Sequence, residues 1–241
     1  MSDLKQTIDE ALNNHRSKYF FPAEITLTTT AFVSIVGIIL ETVPSLESYF
    51  PFINVIELLA AVIFTIEYAS RIWTSKKKTQ YIFSFWGITD LLAILPTLLI
   101  FINLSFLKSA RTIRMLRLVR MIRVLKITRE YLETHDQAKS QVEFNKINIV
   151  IYFLALFSSI TIFGSALYLA DETQPAYSTI PFGMLEAAKI LLGGLGQANP
   201  ATMTGQIIML ITRFAGLALF GLLITVIGGI LNEFLFGKQH K

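Results

Sequence analysis

The chain has 241 residues, of which 53% are hydrophobic, and its formal net charge is +4. This apolar composition excludes an ordinary soluble domain and indicates a membrane protein. The chain contains no cysteine, which excludes disulfides and thiolate metal sites, and its three histidines have no second ligand at a metal-site spacing. We therefore expect neither a cofactor nor a structural metal.

The apolar stretches predict an all-α membrane protein. Residues 1–22 are polar and predict a short cytoplasmic helix. Six stretches then follow that reach roughly the 20 residues needed to cross a bilayer; they lie at 25–43, 52–73, 81–103, 106–127, 146–170 and 205–236. A shorter apolar stretch at 180–192 cannot span and predicts a re-entrant helix between the fifth and sixth spans.

The basic residues predict the orientation of these spans. They follow the second and fourth spans and end the chain, at Arg71, Lys76, Lys77, Lys78, Lys126, Arg129, Lys139, Lys146, Lys238 and Lys241. The loops at 44–51 and 171–180 contain neither lysine nor arginine. Because basic loops stay on the cytoplasmic side, both termini are expected in the cytoplasm and the protein in the cell (inner) membrane as a multi-pass chain.

The fourth span carries a cation at every third position. The series is Arg111, Arg114, Arg117, Arg120, Arg123, Lys126 and Arg129, with mainly apolar pairs between. On an α-helix this spacing gives a slowly winding charged stripe, and charge inside an apolar helix is usually paired and functional. The pattern indicates a voltage-sensing helix. The other interpretation is a basic surface helix that binds anionic lipid or nucleic acid, although such helices lack strict triplet spacing.

Acidic residues in the second and third spans are candidate partners for this stripe. Glu57 and Glu67 lie ten residues apart, nearly three helical turns, so they face roughly the same way, and Asp90 lies in the third span. Phe64, one turn before Glu67, could separate an outer from an inner aqueous cavity. The simpler interpretation is that the carboxylates pair statically and that Phe64 only packs in the core.

The short apolar stretch runs into Gly193-Gly-Leu-Gly-Gln197-Ala-Asn-Pro200. A helix followed by a glycine-rich turn and a proline, between two spanning helices, is typical of a pore loop whose carbonyls face an ion. Glu186 and Lys189 lie three residues apart in the helix and can pair with each other behind the loop. The alternative places one of these charges near the ion path, where it would alter selectivity.

Residues 31–130 resemble the voltage sensor of six-transmembrane voltage-gated potassium channels of prokaryotic type. The motifs are Glu41-Thr-Val-Pro44, Phe64-Thr-Ile-Glu67, Ile88-Thr-Asp90-Leu-Leu-Ala-Ile-Leu-Pro96 and the stripe that ends at Arg129. The resemblance implies four parts: an N-terminal segment 1–22, a voltage-sensor domain 23–130, a linker helix 131–145, and a pore domain 146–237 with its pore loop at 180–200.

The resemblance also implies roles for individual residues. Phe64, Glu67 and Asp90 would form the centre through which gating charges pass, and Glu57 would be the outer counter-charge. Arg114, Arg117, Arg120 and Arg123 would carry most of the gating charge, with Lys126 and Arg129 at the inner positions. Gly216 falls at the hinge position of the last span.

The expected selectivity filter departs from the family pattern Thr-Val-Gly-Tyr-Gly-Asp. This chain reads Leu192, Gly193, Gly194, Leu195, Gly196 and Gln197, so the two hallmark glycines correspond to Gly194 and Gly196. Leu192 lacks the threonine hydroxyl that makes an ion site, and the tyrosine and aspartate that brace the filter are missing. We expect a less braced filter.

The sequence therefore predicts a voltage-gated channel, not an enzyme, that conducts potassium or other monovalent cations. One pore loop cannot enclose an ion, so the resemblance implies a homotetramer in the lipid bilayer, with no nucleic-acid partner. Two alternatives stay open. The first is a voltage-sensing membrane protein with a weakly selective or closed pore, and the second is a lipid-binding membrane protein that uses its basic helix.

Overall fold

The computed structural model of the chain describes residues 2–14, 17–75, 77–84, 87–92, 94–95, 141–194 and 196–236. Every regular element among these residues is helical. The chain divides into two compact units, residues 1–126 and residues 127–241. All seven candidate gating charges lie outside the described residues, as does most of the predicted third and fourth spans.

The first unit begins with helix α1 (Ser2–Asn13), followed by α2 (Phe20–Glu41), a 3₁₀ turn (Pro44–Tyr49), α3 (Phe50–Thr74) and α4 (Lys78–Ile82). Val43 is extended and precedes Pro44, which is the conformation that a following proline favours and which ends α2. Proline also lies in the first turn of α3, where its missing N–H has no helical partner to lose.

The predicted third span is interrupted at its start. Helix α4 ends at Ile82, and residues 87–92 and 94–95 are helical again. The hydroxyl of Ser84 accepts a hydrogen bond from the backbone N–H of Gly87 at 3.0 Å, and the Ser84 carbonyl accepts from Ile88 N–H at 2.9 Å. Ser84 therefore caps the helix that contains residues 87–92, and that helix is separate from α4.

Helices α1, α2 and α3 pack against one another. Their buried apolar side chains include Ile35 and Ile38 of α2 and Ala60, Ala61 and Phe64 of α3. Gly37 of α2 lies against Ile53 and Glu57 of α3, because a Cβ atom there would be 3.4 Å and 3.6 Å from them. Gly37 thus marks where α2 contacts the part of α3 that carries Glu57.

The second unit consists of α5 (Gln141–Asp171), a 3₁₀ turn (Pro175–Tyr177), α6 (Ile180–Leu191) and α7 (Met203–Phe236). Helix α6 packs against both long helices. Its buried side chains Ala187 and Ile190 join Leu167, Tyr177 and Met209 in one apolar cluster. The cluster attaches the short helix to α5, α7 and the preceding turn.

Glycines bring the helices of this unit into backbone contact. A Cβ atom on Gly164 of α5 would lie 2.5 Å from the Cα atom of Met184 in α6, and one on Gly183 would collide with the Gly164 carbonyl. A Cβ atom on Gly216 of α7 would lie 2.7 Å from the carbonyl oxygen of Leu191. Only glycine allows this spacing.

Four of the described helical segments are long and apolar enough to cross a membrane, at Phe20–Glu41, Pro44–Thr74, Ile147–Asp171 and Met203–Asn232. They correspond to the predicted first, second, fifth and sixth spans. Helix α6 has 12 residues, too few to span. Residues 141–145, placed in the linker by the sequence, are the first residues of α5.

Candidate functional site

The acidic face of α3 contains three of the predicted site residues. Phe64, Glu67 and Glu57 are buried, with 1%, 5% and 6% of their surface exposed. They lie at helical spacings of three, seven and ten residues, which places them along one side of the helix. The structure therefore brings the aromatic ring and both carboxylates onto the packed side of α3.

Glu67 forms an ion pair on its own helix. The Nε atom of Arg71 lies 2.9 Å from the Oε1 atom of Glu67, and only 14% of the Arg71 side chain is exposed. In the sequence, Arg71 indicates the orientation of the span, and its i,i+4 position relative to Glu67 also predicts this contact. Arg71 is therefore a direct ion-pair partner of Glu67.

Asp90 is also buried, with 1% of its surface exposed. Its Oδ2 atom accepts a hydrogen bond from the hydroxyl of Tyr81 at 2.9 Å, and the Tyr81 ring packs against Tyr68 of α3 with ring centroids 6.2 Å apart. Tyr81 links the end of α3 to the helix that carries Asp90. Sequence reasoning misses it because Asp90 is nine residues away across a turn.

The predicted pore loop begins with a helix C-cap. The N–H of Gly194 donates to the carbonyl of Lys189 at 2.7 Å, and the N–H of Gly193 donates to the carbonyl of Ile190 at 3.2 Å. Gly193 has a φ of +69°. This pair of bonds around a left-handed glycine is a Schellman motif. Residues 192–194 therefore close helix α6.

Gly193 and Gly196, with φ of +69° and +85°, are the two glycines of the loop that adopt the left-handed conformation. Gly194 is constrained by the space around it and not by its φ angle, since a Cβ atom there would lie 3.0 Å from the carbonyl oxygen of Lys189. The Leu192 side chain is 63% exposed in the single chain. Leu195 of the predicted filter lies outside the described residues.

The turn after the predicted filter is held by side chains from α6. The Oε2 atom of Glu186 accepts a hydrogen bond from the backbone N–H of Ala198 at 2.7 Å, while Lys189 donates to Oε1 of the same carboxylate. Glu186 is buried, with 6% of its surface exposed. The predicted Glu186–Lys189 pair is present within the chain, and the same carboxylate also fastens the loop to the helix.

Polar side chains of α5, of the 3₁₀ turn that follows it and of α7 also form hydrogen bonds with this turn. Tyr177 donates to the Ala198 carbonyl, Gln174 donates to the Asn199 carbonyl at 3.1 Å, and Asp171 accepts from Ala201 N–H. Gln206 donates to the Pro200 carbonyl at 3.2 Å. The predicted filter lacks the family's bracing residues, whereas these contacts hold the turn that follows it, at residues 198–201.

Tyr177 is completely buried in this network. Burial is the main reason that its pKa rises to about 12, and the negative charges of Glu186 and Asp171 add to the effect. The phenol therefore stays protonated and can donate its hydrogen bond throughout the physiological pH range.

Arg213 is a loop contact that the sequence analysis misses. When the Gln197 amide is oriented to suit both neighbours, its nitrogen donates to the Gly194 carbonyl at 2.8 Å and its oxygen accepts from Nη2 of Arg213 at 2.8 Å. The signal in the sequence is a single arginine within the apolar stretch 203–232, because charge in a span is functional by default.

The two units of the chain carry different kinds of candidate site. The first unit holds carboxylates in a buried face where they can stabilise cations. The second holds a short apolar helix and a glycine-containing loop between two long apolar helices, which can present backbone carbonyls to an ion. A family model described as "Ion transport protein" matches residues 20–235. The chain therefore belongs to the ion transport protein family and is an ion channel of the voltage-gated type.

Proposed function

We propose that this chain forms a voltage-gated channel for potassium or other monovalent cations, as a homotetramer in the cell (inner) membrane with both termini in the cytoplasm. The observation that carries this proposal is helix α6. It has 12 residues, packs between the spanning helices α5 and α7, and leads into a loop with left-handed glycines. A re-entrant helix and filter would be built in this way.

Geometry supports a ring of subunits, and the resemblance implies that there are four. A single loop cannot surround an ion, and closed rings of identical subunits are the usual solution. In the single chain, α7 also exposes a row of large apolar side chains that lipid or neighbouring subunits would cover: Leu210, Ile211, Phe214, Leu217, Phe220 and Ile224.

The buried face of α3 supports the voltage-sensing part of the proposal. Glu57, Glu67 and Asp90 would stabilise successive cations of the stripe, from Arg111 to Arg129, as it moves through the membrane field. Phe64 would separate the aqueous cavities on either side. Arg71 and Tyr81 would hold the Glu67 and Asp90 carboxylates in place between these exchanges.

The loop geometry supports weak discrimination between monovalent cations. Selectivity requires an ordered stack of oxygens, and here Leu192 and Gly193 lie in a helix cap rather than in an extended filter strand. Leu192 also has no hydroxyl to add an ion site. We therefore expect cation currents with a smaller preference for potassium over sodium than a standard filter gives.

The test is to reconstitute the purified protein in a planar bilayer and to measure bi-ionic reversal potentials with potassium on one side and sodium on the other. A voltage-dependent cation current with modest potassium preference is expected. Strong potassium selectivity would contradict the weak-filter argument, and a reversal potential that follows chloride would contradict the cation assignment.

A second candidate is a voltage-sensing protein whose pore is closed. Leu192 and Gly193 favour it, because they form the C-cap of α6 and not an extended strand whose carbonyls could line an ion path. Gating-charge displacement in the membrane field without any ionic current would identify this candidate.

A further inference from the structure

Arg213 is the only ionisable residue of the candidate span Met203–Asn232. A guanidinium group within an apolar span is unfavourable unless it is paired or lines a polar cavity. It lies three residues before Gly216, where α7 touches the end of α6 at Leu191. Its place on α7 therefore brings a positive charge to the level of the pore loop.

The partner of Arg213 is an uncharged side chain of the loop. Nη2 of Arg213 and the Gln197 side-chain oxygen are 2.8 Å apart, and the Gln197 nitrogen is 2.8 Å from the Gly194 carbonyl oxygen. Arginine can only donate and a carbonyl can only accept, so these two neighbours determine which way the amide points. A hydrogen bond from a charged donor is also stronger than a neutral one.

The direction of the Gly194 carbonyl depends on this chain of bonds. The N–H of Gly194 already donates to the Lys189 carbonyl at the end of helix α6. The nearby Gly193 and Gly196 have positive φ angles, and glycine backbone is conformationally permissive. A carbonyl oxygen has two lone pairs, so the bond from Gln197 still allows it to coordinate a cation. The bond does, however, determine where that oxygen lies.

We propose that Arg213 is a positioning residue that sets cation discrimination in the pore loop, by holding Gln197 and through it the carbonyl of Gly194. This inference rests on the proposed channel function. Loss of the Arg213 bond leaves the Gln197 amide free to rotate, and the Gly194 oxygen loses its order. Since a filter discriminates through the carbonyl oxygens that replace an ion's hydration shell, displacement of this oxygen moves the permeability ratio toward one.

The experiment measures bi-ionic potassium–sodium reversal potentials of the full-length protein. Arg213→Met removes the charged donor. Gln197→Glu retains an acceptor for Arg213, which protects assembly, but takes the donor away from Gly194. Both variants are expected to move the permeability ratio toward one by a factor of about two or more, the size of effect that one lost hydrogen bond gives. The double variant is expected to move it no further than the larger single change.

The matched control is Thr225→Val. It removes a neutral hydrogen bond within α7, to the carbonyl of Gly221, so a general loosening of α7 would affect it as well. Its permeability ratio is expected to equal that of the wild-type protein. Unchanged ratios in Arg213→Met and Gln197→Glu, additive effects of the two, or an equal shift in Thr225→Val would each overturn the inference while the channel proposal stands. A wild-type protein that passes no current would overturn the channel proposal itself, and this role with it.

Discussion

The carboxylate of Glu186 lies 2.7 Å from the backbone nitrogen of Ala198 and accepts its hydrogen bond, although twelve residues separate them in the chain. The same carboxylate pairs with Lys189. One buried acid thus connects the short helix α6, its own counter-charge and the turn that follows the loop. The position of that turn depends on a polar contact that hydropathy does not reveal.

Replacement of Glu186 should destabilise the second unit. Glu186→Ala leaves the N–H of Ala198 without its acceptor and removes the partner of Lys189. We expect a loss of about 1–3 kcal/mol, mainly from the partly buried N–H, because the Lys189 side chain is partly exposed and its pairing contributes less. Thermal unfolding in lipid nanodiscs measures the change. Glu186→Gln, which retains an acceptor oxygen, should lose less, and the exposed Glu47→Ala should lose nothing measurable; equal stability of Glu186→Ala and the wild-type protein would contradict the role.

A methyl group on Gly164 should disrupt the packing of α5 against α6. It would lie 2.5 Å from the Cα atom of Met184, and backbone cannot move aside as a flexible side chain can. Overpacking of this kind costs about 1–3 kcal/mol, so Gly164→Ala should unfold at a lower temperature. Gly221→Ala is the control in the monomeric chain, since a Cβ atom there meets no atom within 4 Å. If both variants unfold at the same temperature, α5 and α6 are farther apart than described.

Tyr177 should make stability fall at alkaline pH. Its pKa is raised to about 12 in the folded chain, mainly by burial, whereas an unfolded tyrosine titrates near pH 10. A raised pKa means that the contribution is complete below about pH 10 and is lost as the pH rises toward 12. Unfolding of wild-type and Tyr177→Phe proteins should be compared at pH 9, 11 and 12. The stability difference between them should shrink over this interval; a constant difference would show that the phenol has the same pKa in the folded and the unfolded chain.

The hydrogen bond between Tyr81 and Asp90 should be measurable as a coupling energy. The hydroxyl and the carboxylate are 2.9 Å apart, and a bond to a charged group contributes about 1.5–3 kcal/mol. A double-mutant cycle of Tyr81→Phe and Asp90→Asn, followed by thermal unfolding, should therefore be non-additive. Tyr68→Phe changes only the hydroxyl of the neighbouring ring and serves as the control. Strict additivity of the Tyr81 and Asp90 changes would exclude the bond.

The arginine stripe should govern the voltage response. One elementary charge that crosses the membrane field contributes about 2.3 kcal/mol per 100 mV. Arg117→Gln or Arg120→Gln should therefore flatten the conductance–voltage curve or shift it strongly, as measured in planar bilayers. Phe64→Ala should change gating kinetics and leave the reversal potential unchanged. If both arginine variants retain the wild-type curve, the fourth span is not the voltage sensor.

The sequence alone determined where the described spanning helices and the short helix lie. The stretch predicted at 180–192 corresponds to α6 at Ile180–Leu191, because length and hydropathy are local properties of the chain. The burial of Phe64, Glu67 and Glu57 follows in the same way from their common spacing on one helix. The Glu186–Lys189 pair also follows from a helical spacing.

Only the tertiary structure decided the partners that lie farther apart. Tyr177 and Ala198 are 21 residues apart, and Asp171 and Ala201 are 30 apart; no periodic pattern predicts such pairs, since they depend on how α5, α6 and α7 pack. The glycine conformations were decided in the same way. Gly193 matches a valine position in the family pattern, yet the hydrogen bonds of the helix end place it in the left-handed region. A spacing rule predicts contacts within one helix, whereas the conformation of a loop depends on all the elements that pack around it.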